Sequence, residues 1–173
     1  MALFYLDASA LVKRYKTEQG SEVIDYLFGE KSADDRLVAS FLVVIEIVGV
    51  AVRLRRNQTV TEDQLSELLA RFNEDQQQTL ELFQISQSVQ GLAVKVVLEH
   101  GLRAADSIHL ATMIELRRAA DTAGVQLLTM AADKALCDAA EREGLKVVNP
   151  ENTGALTQLK EFIQLSTSGE GYA

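Results

Sequence analysis

Short apolar runs alternate with longer amphipathic segments along this chain, and this alternation restricts its fold more than any other feature. The apolar runs are rich in strand-forming residues and cover 2–6, 37–39, 80–85, 125–129 and 145–148. The segments between them carry apolar residues at helical spacing. Strands that alternate with helices favour a parallel sheet covered by helices on both faces, with right-handed crossovers. The sequence therefore predicts an α/β fold.

Several residues predict where the helices begin and end. Ser40 is the expected N-cap of a long apolar helix that reaches about Arg56, and we expect this helix to be largely buried. Thr61 and Gln64 have the spacing of a capping box for the next helix. The polar run 73–78 is expected to end that helix.

The chain length and composition indicate one compact domain. With 173 residues, 47% of them hydrophobic, the chain can bury a sizeable core, and no repeat or linker divides it. We expect residues 1–150 to form this domain. Residues 151–173 are expected to add a short amphipathic helix, followed from Ser166 by a mobile tail.

Membrane and disulfide signals are weak in this sequence. The most apolar stretch, 36–53, contains Glu46 and falls short of the roughly 20 residues that a bilayer span needs. No basic leader precedes the first apolar residues, so no secretory signal is predicted. Cys137 is the single cysteine, and we expect it to be a small buried side chain on a helix. We therefore predict a cytoplasmic protein without a membrane segment.

The net charge of −8 argues against a broad nucleic-acid-binding surface, because such surfaces are usually basic. A carboxylate-rich metal site would itself contribute to an acidic surplus, and local basic clusters can coexist with it. Surface basic residues are most often only solvated. The candidates for phosphate contacts are Lys13, Arg14, Lys16, Arg103 and Lys134.

Two aspartates stand at the ends of predicted strands. Asp7 ends the first strand, and Asp133 follows the strand near Thr129 at the start of a helix. Ligands of open α/β sheets bind beyond the carboxyl ends of the strands, which favours a functional role. Each aspartate is also explained by helix N-capping, and for either residue alone capping is the more common role.

Glu46 and Asp106 complete a candidate acidic site. Glu46 is the only charged residue between Phe41 and Val52, so it needs a positive partner, unless it reaches solvent at the edge of the apolar face. Asp106 also stands where a helix cap would stand. If the four carboxylates of Asp7, Glu46, Asp106 and Asp133 converge, a divalent cation would keep them ionised together. Hard oxygen ligands select Mg²⁺ or Mn²⁺.

His109 and Ser9 can each be interpreted either as part of the site or as a structural residue. His109 follows Asp106 by about one helical turn and could be a ligand, but a lone histidine in an apolar helix is more often structural, so we leave it out of the site. Ser9 could donate to a carboxylate or could serve as a local cap of the first helix.

The contexts of these acids resemble the motifs of PIN-domain nucleases, especially VapC-like toxins. Residues 5–13 (Tyr-Leu-Asp-Ala-Ser-Ala-Leu-Val-Lys) resemble the opening motif, and Glu46 matches the acidic residue of an apolar helix. Residues 103–111 resemble the third acidic motif, and Asp133 with the segment 144–150 resembles the fourth. One departure is Ala131, where the fourth motif commonly has Ser or Thr. The resemblance covers most of the chain.

The resemblance implies a three-layer α/β/α sandwich around a parallel sheet of about five strands, with the PIN-like nuclease domain in residues 1–150. It also implies Mg²⁺- or Mn²⁺-dependent cleavage of RNA, with Asp7, Glu46, Asp106 and Asp133 as catalytic residues and metal ligands. A homodimer and an antitoxin partner are further implications, and the apolar stripe of the helix from Thr61 suggests where the dimer forms.

A noncatalytic PIN-like module that binds RNA or protein is the main alternative function. Metal-dependent cleavage of RNA would distinguish the two. A phosphatase with an aspartyl nucleophile would be expected to carry a second Asp at position 9, where this chain has Ser9. A receiver domain would be expected to carry a lysine at a late strand end, which this chain lacks.

Overall fold

A computed structural model of the protein describes residues 1–168. The strands are β1 (Ala2–Leu6), β2 (Arg36–Ser40), β3 (Leu80–Phe83), β4 (Gln126–Met130) and β5 (Val147–Val148). The helices are α1 (Ala8–Leu11), α2 (Ser21–Glu30), α3 (Leu42–Arg56), α4 (Glu62–Gln78), α5 (Gln87–His100), α6 (Ala104–Ala123), α7 (Lys134–Arg142) and α8 (Ala155–Ser168). A 3₁₀ turn over Val12–Arg14 continues α1.

The five strands form one parallel sheet in the order β3-β2-β1-β4-β5. From β1 the chain moves outward to β2 and β3, then crosses back by α5 and α6 to β4 on the other side of β1. The connections that leave β1 and β4 therefore run in opposite directions. A crevice forms at such a switch point, beyond the carboxyl ends of the two strands.

Alternate residues of β1 face two different cores, which is why all five of its residues are buried. Ala2, Phe4 and Leu6 pack with α1–α4 and α8, whereas Leu3 and Tyr5 pack with α5–α7. Helices thus cover both faces of the sheet, and the predicted three-layer α/β/α architecture with a five-stranded parallel sheet is confirmed.

Three expectations about local structure were wrong. Ser40 is the last residue of β2, and Phe41 takes the N-cap position of α3, although the Ser40 hydroxyl still accepts from the Leu42 N–H at 3.3 Å. The helix α3 is not largely buried, because only one face meets the core and Ile45 on the outer face is 66% exposed. The helix α4 continues through the polar run 73–78 to Gln78.

The remaining local predictions concern α4 and the C-terminal segment. The capping box of Thr61 and Gln64 is present, with both of its hydrogen bonds. The helix expected after residue 150 is α8, which packs Leu159 and Phe162 into the main core and extends to Ser168. Residues 166–168 are therefore helical rather than a tail, and the tail predicted over 169–173 lies outside the described residues. Among residues 1–168, no helix combines the length and apolar character needed to cross a bilayer.

Candidate active site

All four predicted acids lie towards the carboxyl end of the sheet. Asp7 directly follows β1, and Asp133 comes shortly after β4, on the two sides of the switch point. Glu46 is in the second turn of α3, which begins where β2 ends. Asp106 is in the first turn of α6, which runs antiparallel to the strands because it leads into β4. The topology thus directs four distant segments of the chain to one end of the sheet.

Electrostatic effects link Asp106 to the other acids. Burial raises the pKa of Asp106, and the nearby charge of Asp133 adds to this increase. The charge of Glu46 acts in the same direction, whereas His109 and Arg103 oppose it. Like charges that are not fully screened by solvent raise the pKa of a carboxylate in this way.

Asp7 is the most buried of the four acids, with 3% of its surface exposed. Its Oδ1 accepts from the Ala10 N–H at 2.9 Å, which makes it the N-cap of α1. Burial raises the pKa of Asp7, while His109, the Ala10 N–H and the Ser9 hydroxyl partly offset this increase. An ionised carboxylate in this position therefore costs free energy in the metal-free protein.

The Ser9 hydroxyl fastens Asp7 to the loop that carries Asp133. It donates to the Asp7 carboxylate, with both oxygens at 2.8 Å, and accepts from the N–H groups of Ala132 at 2.7 Å and Asp133 at 3.3 Å. Of the two interpretations left open for Ser9, contact with a carboxylate is the one observed. Ala131, at the position where the motif commonly has Ser or Thr, is buried in the core and has no hydroxyl. The hydroxyl that joins Asp7 to the loop of Asp133 belongs to Ser9 instead.

The capping interpretation holds for two of the three aspartates. Asp133 is the N-cap of α7 and accepts from the Leu136 N–H at 3.0 Å, as Asp7 does for α1. Capping and membership of the acidic group are therefore compatible. Asp106 is not a cap, because Arg103 occupies the N-cap position of α6. The sequence-based expectation for Asp106 was wrong on this point.

His109, which the sequence analysis left out of the site, is the hydrogen-bonding partner of Glu46. Its Nε2 lies 2.7 Å from Glu46 Oε2, and its Nδ1 lies 2.6 Å from the Tyr5 hydroxyl. His109 is 1% exposed, whereas the Glu46 side chain is 26% exposed. The observed hydrogen-bonding partner of Glu46 is thus an imidazole rather than a lysine or an arginine. Spacing alone indicated a candidate ligand at 109, but not these partners.

The four acids do not already form a closed set of metal ligands. In the part of the chain that the structure describes, the ligating atoms that gather within 4.8 Å of one another are those of Glu99, His100 and Glu143, between α5 and α7. That group contains a hydrogen bond of 2.7 Å between His100 Nε2 and Glu143 Oε1, which already pairs two of its members. The donor chemistry of the four acids nevertheless suits a hard divalent cation.

Most of the candidate phosphate contacts have carboxylate partners of their own. Lys13 is buried and pairs with Glu18 at 3.0 Å and Glu151 at 2.6 Å, so it is not a surface contact. Lys16 also pairs with Glu18, and Arg14 and Lys134 each pair with nearby aspartates. Arg103 is exposed and lies close enough to Asp106 to oppose the increase in its pKa. Cys137 is buried as expected, and burial raises its pKa to about 12.

A family model described as "PIN domain" matches residues 4–148, a range that includes all four acids. The chain belongs to the PIN-domain family. Two relatives from Mycobacterium tuberculosis, Ribonuclease VapC45 of strain CDC 1551 / Oshkosh and Ribonuclease VapC49 of strain ATCC 25618 / H37Rv, are each 32% identical over 114 residues. Each alignment covers 66% of this chain and 76% of the relative.

Solved structures of other proteins share this PIN fold at low sequence identity. The chain is similar to FitAcB from Neisseria gonorrhoeae, with a TM-score of 0.58 and 16% identity over 87% of this chain and 99% of that one. It is also similar to VapBC2 from Rickettsia felis bound to a promoter DNA fragment, with a TM-score of 0.55 and 12% identity over 84% of this chain and 96% of that one. These similarities support the fold.

Proposed function

We propose that this PIN-domain protein is a metal-dependent endoribonuclease that hydrolyses RNA phosphodiester bonds, and that it is the toxin of a toxin–antitoxin pair. The observation that carries the proposal is the position of Asp7 and Asp133 beyond the carboxyl ends of β1 and β4, with the charges of Asp133 and Glu46 acting on Asp106. The two Mycobacterium relatives named Ribonuclease VapC support the choice of RNA as substrate. We further propose that the protein acts in the cytoplasm.

Mg²⁺ or Mn²⁺ is the cofactor that fits the acidic group. The pKa of Asp7 is raised by burial and that of Asp106 by burial and Asp133, so the ionised forms lack full compensation in the metal-free protein. A divalent cation would supply it, because hard cations prefer carboxylate oxygens. When bound, such an ion would supply an activated water and would stabilise charge that develops on the phosphodiester.

The four acids contribute to this site in different ways. Asp7 and Asp133 are held by backbone N–H groups at helix starts and joined through Ser9, which gives the site a rigid base at the sheet. Glu46 and Asp106 approach from α3 and α6 and would complete the set of oxygen ligands. The exposed side chain of Arg103, beside Asp106, would contact a phosphate of the RNA.

The experiment for this function is incubation of the purified protein with mixed RNA, with and without Mn²⁺. We expect cleavage only with the metal, and a loss on the order of 10²-fold or more in the Asp106→Asn variant, because charge stabilisation at a reacting centre is worth at least that much. Asp138→Asn is the matched control, since Asp138 is also an aspartate but lies in the middle of α7 and pairs with Lys134 at the surface.

The alternative, a noncatalytic PIN-like binding module, is tested by the same experiment. RNA that is retained on the protein but not cleaved, with Mn²⁺ or Mg²⁺ present, would favour the binding module. Cleavage that continues unchanged in a chelator would contradict metal dependence and would point to a contaminating nuclease.

An antitoxin is the protein partner that we propose. Among the solved structures that share this fold, one is VapBC2 from Rickettsia felis, and another, from Mycobacterium tuberculosis, is a member of the VapBC family of toxin–antitoxin systems. A small open reading frame beside the gene for this chain is the natural candidate for the antitoxin. We expect its product to copurify with the wild-type protein and to suppress RNA cleavage.

We also propose a homodimer, but not through the surface that the sequence suggested. The apolar stripe of α4 faces inward, with Leu68 and Phe72 in the protein's own core. Large apolar side chains are instead exposed on the outer faces of two other helices. These are Ile45, Val48 and Val52 of α3, and Val94, Val97 and Leu98 of α5.

Burial of these exposed faces in a dimer predicts a sensitivity to charge. Leu98 is 81% exposed on the outer face of α5. We expect the Leu98→Glu variant to be shifted to the monomer, because it places a charge on the apolar face that the dimer would bury. Sedimentation at tens of micromolar, roughly where weak association appears, would measure it. Lys95→Gln changes the net charge by the same amount on the same helix and should leave the dimer intact. A wild-type mass of 19.0 kDa would exclude the dimer.

A further inference from the structure

The carboxylates of the proposed site are held in place in two different ways. Asp7 and Asp133 are N-caps, so a backbone N–H fixes each carboxylate, at 2.9 Å from Ala10 and 3.0 Å from Leu136. Glu46 lies inside α3, where backbone N–H groups donate to carbonyls of the preceding turn and are not free to bind it. Its orientation must therefore come from another side chain.

The hydrogen bond from His109 supplies that orientation. Glu46, when ionised, can only accept, so the hydrogen between Glu46 Oε2 and His109 Nε2, 2.7 Å apart, belongs to the imidazole. In the neutral imidazole, Nδ1 is then an acceptor. It meets the hydroxyl of Tyr5 at 2.6 Å, which can donate to it. The three side chains thus form a chain of hydrogen bonds with one consistent direction.

Tyr5 anchors this chain of hydrogen bonds to the centre of the sheet. It is fully buried in β1, two residues before Asp7, and its ring meets the His109 ring edge-on, with centroids 6.0 Å apart. The Tyr5 hydroxyl and this ring contact together hold the imidazole in one orientation.

We propose that Tyr5 and His109 are positioning residues that direct the Glu46 carboxylate towards Asp106, so that metal affinity depends on two side chains outside the ligand set. This inference rests on the proposed function, because it assumes that Glu46 binds the metal. Partners behind a ligand commonly contribute 10- to 100-fold, roughly, to metal affinity. A purely structural link between β1, α6 and α3 would instead affect folding stability and leave the affinity unchanged.

Mn²⁺ affinity, measured by the electron paramagnetic resonance signal of the free ion, separates these two roles. We expect Tyr5→Phe and His109→Leu to weaken Mn²⁺ binding about 10-fold or more. His109→Gln, which keeps an N–H donor, should recover part of the loss. In a Glu46→Gln background, Tyr5→Phe should have no further effect, because the group that it positions is already altered.

Thr129→Val is the matched control. Thr129 is the register partner of Tyr5 on β4, is also fully buried, and donates to the Lys146 carbonyl at 2.7 Å. Its replacement removes a buried hydroxyl without touching Glu46, so we expect lower stability at unchanged Mn²⁺ affinity. Imidazole ¹⁵N NMR of the metal-free protein gives a second measurement. We expect a protonated Nε2 in His109 of the wild type and a mixture of tautomers in Tyr5→Phe.

The possible outcomes distinguish a failure of this inference from a failure of the proposed function. If Glu46→Gln binds Mn²⁺ as tightly as the wild type, Glu46 is not a ligand, and both the ligand assignment and this inference fail. If Glu46→Gln weakens binding but Tyr5→Phe and His109→Leu behave like Thr129→Val, only the positioning role is overturned. Should His109→Leu fail to fold, Tyr5→Phe decides the question.

Discussion

Two aspartates at opposite ends of the sheet are equally buried, each with 3% of its surface exposed, yet their surroundings differ. Asp35 immediately precedes β2 at the amino end, and its two oxygens accept from the N–H groups of Ala2 at 2.7 Å and Ser32 at 3.0 Å. Asp7 follows β1 at the carboxyl end, where Glu46, Asp106 and Asp133 also lie.

The contrast shows that burial of a carboxylate does not by itself identify a functional site. The oxygens of Asp35 satisfy backbone donors at the start of β1 and in the loop before β2, which is a structural task. Asp7 also caps a helix, but it shares its surroundings with other acids, and burial raises its pKa. The combination of burial with neighbouring like charge is what points to a cation.

The largest expected difference between the two aspartates is in RNA cleavage. We expect Asp7→Asn to lower the rate on the order of 10³-fold, because it removes charge from the reacting centre, and Asp35→Asn to leave it nearly unchanged. Initial rates on one RNA at saturating Mn²⁺ measure both. Equal losses in the two variants would show that Asp7 matters only for folding.

For folding stability, we expect the substitution at Asp35 to have the larger effect and the substitution at Asp7 the smaller one. Asp35→Ala leaves the buried N–H groups of Ala2 and Ser32 without an acceptor, which we expect to cost about 1–3 kcal/mol. Asp7→Asn keeps a capping oxygen and removes charge from a crowded acidic group, so the metal-free variant should be as stable as the wild type or more so. Urea unfolding without metal tests both. A large loss of stability in Asp7→Asn alone would contradict this account.

The smallest expected difference is in the pH dependence of stability. The pKa of Asp7 is higher in the folded chain than in the unfolded one, so the folded chain binds that proton more tightly. The free energy of unfolding therefore falls as the pH rises from the unfolded value of about 4 through the raised pKa. Metal-free Asp7→Asn should lose less stability than the wild type over this interval, in urea melts at successive pH values. Asp35→Asn is the control. If the free energy of unfolding of Asp7→Asn fell with pH as steeply as that of the wild type, the prediction would be contradicted.

Features encoded over a few residues were the ones that the sequence predicted well. The capping box at Thr61 depends on a partner only three positions away, and the N-cap roles of Asp7 and Asp133 are equally local. The end of α4 was missed because residues 73–78 are polar but include no strong helix breaker. Polarity there reflects an exposed face rather than a helix end.

The order of strands and helices could be read from local patterns in the sequence, and with it which acids follow a strand or begin a helix. Periodicity and capping specify these features because their contacts span only a few residues. The hydrogen bonds of His109 to Glu46 and Tyr5 could not be predicted in this way, since these partners lie 63 and 104 positions from it in the chain. Helix packing also explains why the apolar stripe of α4 lies in the core, while α3 and α5 each bury one apolar face and expose another. Contacts of this kind depend on how helices pack across the sheet, which no local pattern specifies.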